Sequence, residues 1–401
     1  MWHVFEPQSS SSSAALSTAS DKNKASDFNS EVRSGITPRA AGAPDLTTTP
    51  VHVNPNVWLD PRYANGAKKV DLGGEFLAAD SQHRTALIFS PHGGELVVDI
   101  ATQKPALTLS DNVFCEGLVA YGDRVPCIES LAKRQSLLLL DLATRQIRTL
   151  ATWDLKGDAS YLTRVVAIDA HRIYTTSEIR STTLAAYDIA SGKRLWTQRT
   201  PLRYPECTVL SGHLGCWDKS GKSTIIEVRD HNTGLPTMNL SLPSNARFNW
   251  LWDGLVADNG AKNNTTLYSL SGATVGTLKG DSFPTQFTNN KLFESASVHS
   301  NPSVLHTGTT SDGTLLYWSR SGRTYLYPTQ QEFRSLEATG NTADGALFSA
   351  VSRDGNASRT LIISKKGTLL TTINEKLKPM CGLLVGSDFH TVYLPIADSA
   401  S

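Results

Sequence analysis

Few residues in this 401-residue chain stand at spacings that chemistry requires, and each set admits a structural use. Pro91-His-Gly-Gly94 resembles the His-Gly-Gly of an oxyanion hole, but no Gly-x-Ser-x-Gly nucleophile elbow accompanies it. A hairpin turn between Ile88-Phe89 and Leu96-Val97 is the favoured reading. His299 and His306 flank Asn301-Pro302 in an apparent insertion from Ser297 to Asp312, where two imidazoles could share a metal. No Cys or acidic residue stands at ligand spacing, so solvated loop histidines are favoured. Asp354-Gly-Asn356 and Asp258-Asn-Gly260 resemble pieces of calcium loops without the ligand Glu, and read better as turns. The sequence therefore assigns no catalytic, cofactor-binding or metal-binding residue, and the chain reads as a non-enzyme that needs no cofactor.

The cysteines are more informative. A two-residue turn at Ser211-Gly212 sets Leu210 opposite His213, and hence Cys207 opposite Cys216. A three-residue loop at Ala120-Tyr-Gly122 sets Val119 against Asp123, and hence Cys115 against Cys127. Directly opposed residues in an antiparallel pair lie close enough for a disulfide. Two disulfides are expected, each across the two inner strands of one unit, and such bonds persist outside the cytoplasm. Cys381 has Tyr393 and Leu394 where its partner would lie, and is expected to be an unpaired, mostly buried thiol.

Phe248, Trp250 and Trp252 share one side of a strand, because side chains alternate with period two. That pattern suits packing between sheets, while a Trp250 or Trp252 that reached a rim would be a natural anchor for a protein partner. Charge excludes other partners: 38 Lys and Arg against 37 Asp and Glu leave no net positive field for nucleic acid or a membrane surface. No apolar run is long enough to cross a bilayer.

Two textures divide the chain. Residues 1–55 combine the serine run Ser9 to Ser13 with Pro38, Pro44 and Pro50, and read as a disordered tether. Its opening, Met1-Trp2-His3-Val4-Phe5, suits either the outer end of a membrane anchor or an ordinary N-terminus. Residues 56–397 are short β-rich runs, followed by a tail over 398–401. Hairpins of one kind recur there, as in Val98-Asp-Ile-Ala-Thr-Gln103, Leu140-Asp-Leu-Ala-Thr-Arg145 and Arg229-Asp-His-Asn-Thr-Gly234. From Gly66 to Gly367 eight such turns recur at intervals of about 43 residues, the length of a four-stranded propeller blade. The expected fold is an all-β, single β-propeller of eight four-stranded antiparallel blades, with seven as the alternative. An outer hairpin over Asn56 to Leu72 and an inner hairpin over Met380 to Leu394 are expected to close the last blade from both termini.

The unit Ala186-Tyr-Asp188-Ile-Ala-Ser-Gly192-Lys-Arg-Leu-Trp196 resembles the repeat of the pyrroloquinoline-quinone-type propellers, whose blades carry Ala-x-Asp-x-x-Thr/Ser-Gly-Lys-x-x-Trp. The resemblance implies that Asp188 and Gly192 form the turn and that Trp196 docks one blade onto the next. Elsewhere the Trp position holds Leu107, Thr149 or Met238. The quinone enzymes also carry adjacent disulfide-bonded cysteines, and none of the five here are adjacent, which places this chain with the non-catalytic branch. In size and blade count it is also similar to eight-bladed outer-membrane assembly lipoproteins, but no lipobox cysteine stands near the N-terminus. The two-Cys hairpins suit membrane-tethered actinobacterial propellers better. The implied function is that of a monomeric cell-envelope scaffold for protein partners, its membrane link lying only in an anchor upstream. The alternative is a small-ligand-binding or quinoprotein-like enzyme relative that uses the central channel.

Overall fold

The computed structural model describes residues 60–155, 162–178, 181–251, 254–258, 264–279, 306–309, 314–318, 324–328, 333–342, 345–352, 357–364 and 369–396. These form a β-propeller. Among the described residues there are eight antiparallel sheets, seven of four strands and one of three. In chain order the first seven blades span residues 75–108, 113–154, 162–199, 206–243, 248–279, 306–328 and 333–373. The eighth combines Leu377–Met380, Leu383–Gly386 and Thr391–Pro395 with Ala67–Asp71.

Burial explains the sequence pattern within a blade. In the second blade the third strand, Arg134–Asp141, is buried along nearly its whole length, because both of its faces meet neighbouring sheets. The fourth, Gln146–Asp154, is mostly exposed. First strands lie close to the neighbouring blades: Leu162–Ile168 lies against both Arg124–Leu131 and Glu206–Leu210. That closeness marks the first strand of each blade as the one nearest the axis.

In the first four blades the turn after the third strand is built by one device. The Asp99, Asp141, Asp188 and Asp230 carboxylates each accept hydrogen bonds from the backbone N–H and the hydroxyl of the Thr or Ser three residues on. The fourth residue after the Asp is left-handed: Gly192 (φ 69°) and Gly234 (φ 70°), but also Gln103 (φ 58°) and Arg145 (φ 59°). A side chain from the preceding blade then reaches the carbonyl of the residue that follows the Asp. Arg148 Nη2 donates to Ile189 at 2.7 Å, and Trp196 Nε1 to His231 at 3.0 Å. Thr85 Oγ1 does the same to Leu142 at 2.9 Å, and Thr237 Oγ1 reaches the Leu270 carbonyl of the fifth blade, where Ser269 stands in place of the Asp, also at 2.9 Å. These joints satisfy carbonyls that burial between blades would otherwise orphan. Most fourth strands also carry a bulge one residue before the docking position, as at Leu195 before Trp196 and Thr237 before Met238.

Closure differs from the two-plus-two expectation. The C-terminal segment supplies three strands of the last blade and the N-terminal segment one. Residues 61–65 are not a strand: Pro61–Asn65 is a 3-10 turn whose Arg62 N–H is capped by Asp60. That turn drives Tyr63 into the sheet at 0% exposure. Its hydroxyl donates to the Tyr393 carbonyl and accepts from Leu384 N at 3.0 Å. Ala67–Asp71 then pairs along Thr391–Pro395.

Both disulfides are present. Cys207 pairs with Cys216 at a Cα separation of 4.1 Å, across a Ser211–Gly212 turn with Leu210 opposite His213. Cys115 pairs with Cys127 at 3.9 Å, but by another route from the one expected. Tyr121 bridges Arg124 around a tighter turn, and a 3-10 turn over Gly117–Val119 takes up the residues that this leaves over. Cys381 is unpaired. It lies in the turn between Leu377–Met380 and Leu383–Gly386, not opposite Tyr393, which instead faces Leu384. Burial pushes its thiol up to about 11.

Candidate functional site

The turn Asp188-Gly192 and Trp196 all lie at the joints between blades. A Cβ on Gly192 would stand 2.0 Å from the Leu150 carbonyl oxygen of the second blade. Trp196 is 8% exposed and lies against Gly234, where a Cβ would meet the indole at 2.5 Å. Trp250 does not reach a rim. It is buried, packs on the backbone of Gly215, and meets Phe248 edge-on at 5.9 Å between ring centres. Inter-blade packing therefore describes Trp250, and Trp252 lies outside the described residues. So do His299 and the Asp354 to Asn356 segment. Pro91 to Gly94 is the turn between Thr85–Phe89 and Glu95–Asp99, with Gly93 and Gly94 at φ 89° and 76°.

The buried charges of the fourth blade belong to the scaffold. Arg229 is the largest fully buried side chain among the described residues, and it grips Glu227 with Nε and Nη2 at 2.7 and 2.8 Å. Its other bonds run to the Gly234 and Arg199 carbonyls, and Glu227 also accepts from Thr200 Oγ1. Every arm of the pair has a partner, as a buried ion pair requires.

The two ends of the propeller differ in what they expose. Among the described residues, those apolar and exposed at the end where the chain enters each first strand are aromatic: Phe89, Phe114 and Tyr204. At the opposite end, beside the Asp turns, they are aliphatic: Ile147, Leu195 and Leu235. One well-anchored part of the entry end is the connection Thr200-Pro-Leu-Arg-Tyr-Pro205. Leu202 anchors it at 0% exposure. Asp218 Oδ2 accepts the N–H groups of Arg203 and Tyr204 at 2.8 and 3.1 Å, Thr182 Oγ1 donates to the Arg203 carbonyl, and Arg164 Nη2 to the Pro205 carbonyl. The backbone is thus held while both side chains face out, the Arg203 guanidinium standing 5.1 Å over the Tyr204 ring at 53% exposure.

Carboxylates stand close by. Burial pushes Glu116 and Glu206 above the usual carboxylate range, Arg164 acts the other way on both, and Asp218 adds to the rise at Glu206. Burial also raises Glu95, to about 7, against the opposing hydrogen bond from Cys115 N, which meets both of its oxygens. Among the described residues no three His, Cys, Asp or Glu side chains are placed to hold a metal ion. Sequence reading missed this face because Phe114, Arg203 and Tyr204 come to the same end only through the order of the blades. The one local signal was a connection bracketed by Pro201 and Pro205.

No protein-family model and no curated protein matches this chain. Among solved structures, the computationally designed Ika8 protein is 14% identical, with 82% of this chain and all of that one covered and a TM-score of 0.42. The WD40 domain of SCAP from fission yeast is 8% identical over 76% of this chain and 72% of that one, with a TM-score of 0.35. The Cps50 (Swd1) β-propeller domain of Myceliophteria thermophila is 10% identical over 81% and 97%, also at 0.35. The fold assignment rests on the sheets and their order in this molecule.

Proposed function

We propose that this protein is a non-enzymatic propeller of the pyrroloquinoline-quinone-type repeat class that works outside the cytoplasm and binds protein partners through its entry face. The observation that carries the reading is the Arg203–Tyr204 pair, two exposed side chains on a backbone fixed by the buried Asp218 carboxylate. Arg and Tyr are the residue types that dominate protein interfaces, and a fixed backbone reduces the ordering cost of binding. The cysteine pairs Cys115–Cys127 and Cys207–Cys216 support an oxidising compartment. Among the described residues no helix is long and apolar enough to cross a membrane.

Cross-linking mass spectrometry on cells carrying the full chain identifies the partner, and titration with purified protein then tests the face. Tyr204→Ser should weaken that complex by at least about tenfold, as loss of an interface anchor does, while Leu195→Ser at the opposite end should leave it unchanged. Equal effects from the two substitutions would overturn the assignment of the face.

A further inference from the structure

The entry face has a charge pattern that specifies its occupant more closely. First strands bring Glu75, Arg164 and Glu206 toward this end from the first, third and fourth blades, and in the second blade Glu116 directly follows the first strand, Val113–Cys115, giving three carboxylates against one guanidinium. Of the other basic residues at this end, Lys133 and Lys222 sit in the turns between second and third strands, farther from the axis, and Arg203 is engaged by a carboxylate, its Nε standing 3.8 Å from Glu178 Oε1. Arg164 does not neutralise the carboxylates by contact: its Nη2 is committed to the Pro205 carbonyl, and among the described residues it forms no ion pair with Glu116 or Glu206. Directly across from Arg164 on the next strand, Thr176 is 5% exposed, and its hydroxyl has no hydrogen-bond partner. The inner part of the face therefore holds acidic groups, Glu75, Glu116 and Glu206, that form no ion pair among the described residues, with the exposed rings of Phe114 and Tyr204 at the same end.

We propose that this face takes a basic polypeptide segment of a protein partner, with one Lys or Arg side chain entering between Glu116 and Glu206 while its neighbours pack on Phe114 and Tyr204. The inference rests on the protein-binding reading above and adds the chemistry of the partner. A cation is favoured because burial disfavours the charge of both carboxylates, and an incoming ammonium or guanidinium would offset that cost. A phosphorylated or acidic segment would meet like charge at the centre of the face.

The test pans a phage-displayed library of random linear peptides on the full chain, on the Glu116→Gln/Glu206→Gln double variant and on Tyr204→Ser. Peptides selected on the wild type should be enriched about threefold or more in Lys and Arg and weakened about tenfold by the double variant and by 0.3 M salt. Selected peptides that depend on Tyr204 but are acidic or neutral, or that bind the double variant equally well, would overturn the basic occupant and leave the protein-binding face standing. Selected peptides indifferent to Tyr204, or no selection at all, would count against both. Matching melting temperatures for the three proteins confirm that the substitutions act at the surface.

Discussion

Tyr63→Phe removes one oxygen atom from the point where the two chain ends meet. The ring still fills its 0%-exposed site, so no cavity forms. What is lost is the hydroxyl that donates to the Tyr393 carbonyl and accepts from Leu384 N. Leu384 is 0% exposed and Tyr393 4%, so neither group can turn to water instead. A buried polar group left unpaired costs about 1–3 kcal/mol, and two share the loss here, so the expected destabilisation is about 2–4 kcal/mol. With an unfolding entropy of about 2 cal/mol/K per residue over the propeller, that corresponds to a fall of roughly 3–6 °C in Tm. Calorimetry of wild type, Tyr63→Phe and the exposed control Tyr204→Phe makes the comparison, and limited proteolysis should show Ala67–Asp71 released first. A Tyr63→Phe protein melting within about 1 °C of wild type would refute the claim that this residue latches the ring.

Glu95 has its folded pKa raised to about 7, so the stability its neutral form contributes is complete below the unfolded pKa of about 4.5 and is lost as pH rises through 7. Glu95→Gln keeps an acceptor for Cys115 N, so it should flatten the fall in Tm between pH 5 and 8 and be the more stable protein at pH 8, by up to about 3 kcal/mol; parallel profiles would remove the argument. Gly192→Ala forces a Cβ to within 2.0 Å of the Leu150 oxygen at φ 69° and should cost several kcal/mol, whereas Gln103→Gly relieves a left-handed residue and should gain about 0.5–1 kcal/mol in denaturant melts; the reverse order would mean that the turns are not equivalent. Thiol titration of denatured, unreduced protein should find one free cysteine, Cys381; five would remove both disulfides and with them the support for an oxidising compartment.

Much of the fold was legible because its unit is local. An Asp that caps its own turn needs only the Thr or Ser three residues later, so Asp141 and Asp230 announce their turns without help from the rest of the chain. The Cys207–Cys216 register was legible for the same reason. Where the structure departs from the sequence reading, a non-local contact decided: Tyr63 finds partners more than 300 residues away, and its burial favours a 3-10 turn over a second outer strand. The Cys115–Cys127 loop shows that a correct pairing can follow from an incorrect turn, because the 3-10 turn over Gly117–Val119 compensates. Trp250 has the composition of an interface anchor but the burial of a core residue, and alternation alone does not separate the two. The entry face was illegible because Phe114 and Tyr204 are 90 residues apart in sequence and share an end only through blade order.

The most direct test of a protein-binding entry face places a photo-crosslinking amino acid at position 204 of the full chain in its own cells, with the same group at position 195 as the control. One discrete, heavier adduct that forms at 204, is absent at 195 and disappears with Arg203→Ser is the predicted result. No adduct at 204, or the same adducts from both ends of the propeller, would contradict it.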